Sequence, residues 1–412
     1  MTMPTGAVVL LHDRNYVTLF AARTLAMLAF AFAPVALAFG ILDIPGGTEV
    51  MLSTVLAFQL TPAVIMMLFG GVVADRYSRS RLIALGETGV GLGWLAIGLL
   101  MFTEAPPLWA MCACAALTGV SGSLVYPALT GIIPDLVPAE HLTEANAYLQ
   151  GANAFSRLIG VVAGGVTVAF LGGGLALVSA SALYLASAAL MLRLPKTSHT
   201  ASRAESMLTQ LRQGWGEFSS RQWLWVIVLA WGLMYAFFEA TVGVLGPVIA
   251  KADLGGAIGW SIVLAGEAVG AITGMVVSMF WRPRHPIFVG CALSLLCGVP
   301  GLLLGCQFPL WSIAATAVAM GFGFQVFSVY WMTAMQLEVP PESLSRVASY
   351  DAFGSMLFGP LGLVLAGPAS SAFGPHQTAI FCSVACVVIL VGALTSKDVR
   401  TLAPYEKAVE LA

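Results

Sequence analysis

The chain has 412 residues, of which 59% are hydrophobic and only 9% are charged, and its mean hydropathy is +0.91. Soluble proteins usually carry about 25% charged residues. The formal net charge of −2 gives no sign of nucleic-acid binding. This composition excludes an ordinary soluble domain and predicts a protein that crosses a membrane several times.

Twelve apolar segments follow one another along the chain, and each can cross about 30 Å of hydrocarbon as a helix. The first is too long for the hydrophobic part of a cleavable signal peptide and fits a spanning helix. The segments span approximately 17–42, 51–74, 82–103, 107–132, 143–171, 174–194, 224–249, 258–281, 286–306, 309–336, 344–372 and 376–396.

The basic residues alternate between the two sides of the predicted membrane. Fifteen of the 18 Lys and Arg residues lie in the terminal regions or in the even-numbered connections, and Lys251 alone lies in an odd-numbered one. Arg23 and Arg157 lie within segments. Because connections rich in Lys and Arg stay in the cytoplasm, both termini are expected to be cytoplasmic.

Two similar turns indicate an internal repeat. Val-Pro-Ala-Glu-His-Leu-Thr precedes segment five and Val-Pro-Pro-Glu-Ser-Leu-Ser precedes segment eleven, 202 residues later. The same offset aligns Tyr148 with Tyr350 and Gly160 with Gly362. The sequence therefore predicts a duplicated six-segment unit: an N-terminal half at 1–194, a cytoplasmic loop at 195–223, and a C-terminal half at 224–412 that ends in a short cytoplasmic tail.

A dense charge cluster lies between segments two and three. It reads Gly71-x-x-x-Asp75-Arg76-x-x-Arg79, and such a cluster must sit at a membrane face because charges are costly in hydrocarbon. This spacing resembles the loop signature of the major facilitator superfamily. The turns before segments five and eleven resemble its drug:proton antiporter branch, which includes bacterial macrolide-efflux and enterobactin-exporter proteins.

The resemblance implies an all-α fold of twelve transmembrane helices in two pseudo-symmetric six-helix bundles, with substrate bound between them. It implies a monomeric multidrug exporter of the bacterial inner membrane that moves hydrophobic or amphipathic small molecules outward in exchange for protons, without a cofactor. Two alternatives stay open: a dedicated exporter of one metabolite such as a siderophore, and a non-transporting scaffold or sensor.

The resemblance also implies a conformational latch in the charged loop. Asp75 would dock on the N-terminus of helix eleven, where free N–H groups attract a carboxylate. Arg76 and Arg79 would pair with nearby acids, with Asp135 as the best candidate, and Gly71 opens the motif. The alternative is that these Arg residues are solvated orientation signals.

Carboxylates within the segments are candidates for binding substrate or protons. Glu239 is the deepest, and Trp231 and Tyr235 share its helix face, which suits an amphipathic cation. The alternative is a packing stripe. Glu267 is the second choice. Glu87 and Asp351 lie nearer the predicted cytoplasmic ends, where we expect gating or solvated roles.

Arg157 lies deep in segment five, and we expect it to face the interior of the N-terminal half and to contact polar groups. Arg23 lies nearer the end of its segment and is expected to reach the cytoplasm by extending its side chain. Neutral hydrogen-bonding groups for the cavity are expected from Gln150, Asn153 and Gln325, with Gln59 and Asn146 as further candidates.

No motif of an enzyme or a metal site is found in the sequence. The seven Cys lie within apolar segments, where small buried hydrophobic side chains are expected, and Cys112-x-Cys114 has no second pair of ligands. We therefore predict neither catalysis nor a bound metal.

Overall fold

The computed structural model describes residues 10, 12–74, 77–196 and 215–402. Throughout this part of the chain the secondary structure is helical, with no β-strand. Contacts divide the chain into two units, Met1–Ser202 and Arg203–Ala412.

The helices correspond to the predicted segments one by one, and we number them α1 to α12. In unit 1, α5 (residues 142–171) and α6 (173–191) are the two parts of one 50-residue helical stretch, Leu142–Met191. In unit 2, α11 consists of two pieces, and a short α13 follows α12. The bounds of the other unit 1 helices are Arg14–Asp43 (α1), Glu49–Ala74 (α2), Arg79–Leu100 (α3) and Leu108–Leu136 (α4). The bounds in unit 2 are Gln222–Asp253 (α7), Ala257–Phe280 (α8), Pro286–Gly305 (α9), Leu310–Glu338 (α10), Pro341–Met356 with Gly359–Phe373 (α11), Pro375–Thr395 (α12) and Lys397–Thr401 (α13).

Two glycines at equivalent positions separate the last two membrane helices of each unit. Gly172 has φ 79° and breaks the stretch between α5 and α6. Gly374, 202 residues later, has φ 88° between α11 and α12. Glycine adopts positive φ without the steric strain that a Cβ would cause. A break is also expected from the length of the stretch, because 50 residues of continuous helix would extend about 75 Å, whereas the hydrocarbon is about 30 Å thick. The repeat predicted from the turns is therefore present in the backbone as well.

Each unit is packed through glycines at close helix crossings. A Cβ at Gly160 of α5 would lie 2.5 Å from the carbonyl oxygen of Leu28 in α1. In unit 2, a Cβ at Gly362 of α11 would meet the carbonyl oxygen of Ala236 in α7. The aligned glycines thus pack α5 on α1 and α11 on α7. This contact agrees with the helix-packing function expected for small residues in membrane helices.

The end of α2 agrees with the predicted segment. The helix passes through Gly70 and Gly71 and ends at Ala74, the last residue of segment 51–74. Glycine in a helix costs only about 1 kcal/mol relative to alanine, so two glycines do not by themselves end an apolar helix.

Candidate functional site

The charged loop is described only in part. Asp75 and Arg76 lie outside the described residues, and Gly71 lies within α2. The docking of Asp75 on helix eleven therefore stays a prediction.

The expected contact between Arg79 and Asp135 is present. Nη1 of Arg79, at the start of α3, donates to both carboxylate oxygens of Asp135, near the end of α4, at 2.9 Å each. The contact joins two helices that are 56 residues apart in sequence. Its role in a latch remains a prediction, because partly exposed ion pairs also occur as purely structural contacts.

A polar stripe runs along one face of α5. Its members recur at intervals of four, three and four residues, which places them within an arc of about 60° on a helix. Asn153 is half-buried and the other three are exposed. We call this face the α5 polar stripe; it consists of Asn146, Gln150, Asn153 and Arg157.

Within the stripe, the Asn153 amide donates to Oε1 of Gln150 at 3.3 Å, and the Asn146 amide donates to the carbonyl oxygen of Leu142 at 2.8 Å. Arg157 lies 15 residues after Leu142, about 23 Å along the helix and near the middle of α5.

The opposite face of α5 is exposed and apolar. Phe155 and Ile159 are 62% and 56% exposed, and their direction lies about 180° from the polar stripe. This pattern is typical of a face that contacts lipid. We call it the α5 apolar stripe; it consists of Tyr148, Phe155, Ile159, Val162, Val166 and Phe170.

The expected orientation of Arg157 is wrong. Its side chain is exposed instead of enclosed within unit 1. The buried side of α5 carries small and apolar residues such as Ala145, Leu149 and Gly160, which leave no space for a guanidinium against α1. The sequence did contain the signal that places Arg157 on a polar face, namely the spacing of the three amides before it.

In unit 2, Glu239 lies at a change of helix type in α7. The α-helical part ends at Glu239, and a π-helical turn follows at Ala240–Leu245. Pro247 explains the turn, because proline lacks an N–H group and its ring clashes with the carbonyl four residues earlier. The N–H of Gly246 bonds the carbonyl of Thr241, five residues back. Such π-turns occur frequently at functional sites.

Glu239 has a hydroxyl partner and a second acid nearby. The phenol of Tyr235, one helical turn earlier, donates a hydrogen bond to the Glu239 carboxylate. Glu267 of α8 lies close enough for the two carboxylates to repel each other. Both acids are half-buried. The structure thus brings together three of the predicted residues.

Glu267 also lines a small cavity inside unit 2, with a volume of about 30 Å³. Thr241 lines the same cavity, as do Trp260 and Met320. A cavity needs about 10–15 Å³ to hold one water molecule, so this one has space for one or two beside the carboxylate.

Trp231 is engaged in aromatic packing. Its ring stacks on Phe327 of α10 with centroids 4.0 Å apart and lies 5.7 Å from Phe324. One face of the indole is therefore covered within unit 2, as the packing alternative predicts, and a role in cation binding stays a prediction. Gln325 is half-buried on α10 and its Cβ packs over Gly274 of α8.

Asp351 in α11 has fixed partners. The indole N–H of Trp331 donates to its Oδ2 at 3.1 Å, and the Ser355 hydroxyl donates to its Oδ1 at 3.3 Å. The side chain is half-buried. The solvated alternative for Asp351 is therefore wrong, and a gating role stays a prediction.

A buried charge cluster in unit 1 was missed by the sequence reasoning. Glu87 of α3 is 1% exposed, and its Oε1 lies 3.6 Å from Nη1 of Arg23 in α1. Ser187 of α6 lies 2.6 Å from Oε2. The solvated alternative for Glu87 and the expected extension of Arg23 to the cytoplasm are both wrong, because the two side chains meet inside the bundle. A gating role of Glu87 stays a prediction. Residues 64 positions apart in sequence leave no local signal of such a contact.

No group of His, Cys, Asp and Glu within the described ranges could hold a metal ion. Of the seven Cys, Cys306 at the end of α9 is exposed, which differs from the expected burial.

Comparison with known proteins agrees with this geometry. The sequence model of the Major Facilitator Superfamily matches residues 19–363. The enterobactin exporter EntS of Citrobacter koseri is 27% identical over 321 residues, which are 74% of this chain and 75% of that protein. EntS of Shigella boydii serotype 18 is 27% identical over 327 residues, 75% of this chain and 76% of that protein.

Solved structures show the same fold. The nucleoside transporter NupG has a TM-score of 0.74 at 15% identity, covering 93% of this chain and 98% of that one. A bacterial homologue of the human lysosomal transporter Spinster, in an inward-facing and unoccupied conformation, has a TM-score of 0.65 at 18% identity, covering 98% of both chains. The membrane helices α1–α12 of the described residues, the internal repeat and a family match over residues 19–363 together identify the chain as a member of the major facilitator superfamily.

Proposed function

We propose that this protein exports a hydrophobic or amphipathic small molecule across the bacterial inner membrane, by alternating access and in exchange for protons. The α5 polar stripe carries the proposal. A guanidinium near the middle of a spanning helix is strongly disfavoured in hydrocarbon, so the exposed position of Arg157 favours a face of α5 that does not lie in lipid. The α5 apolar stripe on the other side suits lipid. One helix thus separates lipid from a polar pathway.

The two units offer different chemistry to a substrate. Arg157 and the amides of α5 suit an anionic or oxygen-rich group, because a guanidinium presents several fixed donors. Glu239 and Glu267 suit a cationic group or a proton. The positions of α11 that correspond to the polar stripe hold small residues, so the repeat is chemically asymmetric: Ala348, Ala352, Ser355 and Gly359.

Export of a single siderophore is a second candidate function. The observation that favours it is the similarity to relatives named as enterobactin exporters. A guanidinium flanked by amides is compatible with such a ligand, whereas a broad drug exporter would rely more on the acids of unit 2.

Proteoliposomes with an imposed pH gradient test the proposal, with a panel of cationic dyes, macrolides and enterobactin. We expect substrate-dependent proton flux, which Arg157→Gln and Glu239→Gln strongly reduce and which Val162→Ala, on the apolar stripe, leaves intact. Glu239→Gln should affect cationic compounds most. Movement of enterobactin alone would favour the dedicated exporter, and absence of flux across the panel would favour a non-transporting scaffold.

A further inference from the structure

Glu87 is the most enclosed charge among the described residues. Within the described part of the chain, it is the one charged residue that is fully buried, at 1% exposure. It lies eight residues into α3, about 12 Å from the start of the helix. A buried carboxylate is usually satisfied by several donors, because leaving its lone pairs without partners is expensive.

The donors around Glu87 are too few for a carboxylate. The Ser187 hydroxyl lies 2.6 Å from Oε2 of Glu87 and 2.8 Å from the carbonyl oxygen of Ala22. A hydroxyl has one proton, so Ser187 can donate fully to only one of these oxygens. If it donates to Ala22, the 2.6 Å contact needs a proton from Glu87 itself. A neutral Glu87 satisfies both hydrogen bonds: its O–H donates to Oγ of Ser187, and the Ser187 O–H donates to the carbonyl oxygen of Ala22.

The other carboxylate oxygen, Oε1, is not held by a close donor. Among the described residues, Oε1 of Glu87 lacks a hydrogen-bond partner. Nη1 of Arg23 is 3.6 Å away, whereas charged N–H···O contacts are about 2.8 Å long. If Glu87 loses its proton, Arg23 must therefore move about 0.8 Å closer to Oε1 before it can donate a charged hydrogen bond. The Arg23 side chain is 13% exposed, so it is the less enclosed member of the pair.

We propose that Glu87 is a proton-binding site of the N-terminal bundle, with Ser187 and Arg23 as positioning residues. When Glu87 carries the proton, it donates to Ser187, and Arg23 remains at a distance. When the proton leaves to water, Arg23 moves into hydrogen-bond contact with the carboxylate. Since Arg23 belongs to α1, Glu87 to α3 and Ser187 to α6, proton occupancy is coupled to the relative positions of three helices.

The surroundings of Glu87 contain few other groups that titrate. Tyr184 of α6 is buried and lies within electrostatic reach of both charges. On the α4 side, Ser121 and Thr118 pack against glycines of α3, and neither titrates. Proton binding is thus expected to depend on Glu87, Arg23 and Tyr184.

Infrared difference spectra between low and high pH, recorded on the full chain in lipid nanodiscs, test the site directly. We expect the C=O band of a protonated carboxyl group that disappears at high pH and is missing in Glu87→Gln. Ser187→Ala should move the band in frequency. Ser181→Ala, a buried serine of the same helix, should leave it in place. A wild-type spectrum that Glu87→Gln leaves unchanged, or a carboxyl that never titrates, overturns the proposal.

The coupling role rests on the proposed proton antiport, and a second measurement separates the two ideas. Enterobactin is the probe, followed as counterflow without a gradient and as efflux driven by a pH gradient. Glu87→Gln should retain counterflow but reduce gradient-driven efflux to the passive leak. If the wild type shows counterflow without a gradient effect, the antiport proposal fails while the infrared result still decides the proton site. Normal gradient-driven efflux by Glu87→Gln contradicts the coupling.

Discussion

Replacement of Arg157 by leucine distinguishes a water-facing α5 polar stripe from a lipid-facing one. At the centre of a membrane helix, Arg costs about 2.5–3.5 kcal/mol and Leu gains about 0.3–0.6 kcal/mol on insertion scales. If Arg157 faced lipid, Arg157→Leu would stabilise the protein by roughly 3–4 kcal/mol. For a unit of this size, about 2–4 °C per kcal/mol corresponds to a rise in Tm of roughly 6–16 °C.

We expect no such rise, because leucine gains nothing on a face of α5 that does not lie in lipid. The assay is thermal unfolding in lipid nanodiscs, followed by intrinsic fluorescence. Ile159→Arg, on the α5 apolar stripe, is the matched control and should lower Tm by a comparable amount. A higher Tm for Arg157→Leu, or an unchanged Tm for Ile159→Arg, would refute the assignment of the two faces.

Three further predictions concern packing, the latch and Asp351. Gly160→Ala places a methyl group against a carbonyl oxygen of α1 and should destabilise unit 1 by about 1–3 kcal/mol in thermal unfolding. Gly151→Ala, where a Cβ meets nothing within 4 Å, is the control and should be neutral or stabilising. Equal effects of the two variants would contradict the close crossing. Asp75→Asn should shift the population toward inward-facing states and so increase the labelling of cysteines on the predicted cytoplasmic side. Unchanged labelling would contradict the latch. Trp331→Phe removes the donor to Asp351 and should lower the free energy of unfolding by about 1–3 kcal/mol. Asp351→Asn in the same background should recover part of this loss. No loss on denaturant unfolding would show that the bond contributes little.

The sequence predicts the fold well because the membrane imposes strong one-dimensional rules. A spanning helix must be long and apolar, and the repeat offset appears in the positive φ of Gly172 and Gly374 as well as in the turns. The end of α2 at Ala74 coincides with the end of the predicted segment, because the apolar residues after Gly70 and Gly71 continue the helix.

Prediction of the candidate site succeeds where a signal is local. Tyr235 and Glu239 are one turn apart on α7, and their contact follows from helical spacing. The orientation of Arg157 follows from the spacing of the amides before it, whereas its depth in the segment says nothing about which face it lies on. The contact of Glu87 with Arg23 depends on how α1, α3 and α6 pack, which no local pattern encodes.

The most direct test of the account is the water accessibility of the two faces of α5. Single cysteines at Gln150 and Asn153, and at Val162 and Val166, are compared in a Cys306→Ser background, with a membrane-impermeant thiol reagent supplied on either side of native membranes. The account predicts labelling of the two polar-stripe cysteines, reduced by enterobactin or another transported compound, and no labelling of the two apolar-stripe cysteines. Equal labelling of both faces, or labelling of the apolar stripe alone, would contradict the claim that α5 borders a transport pathway.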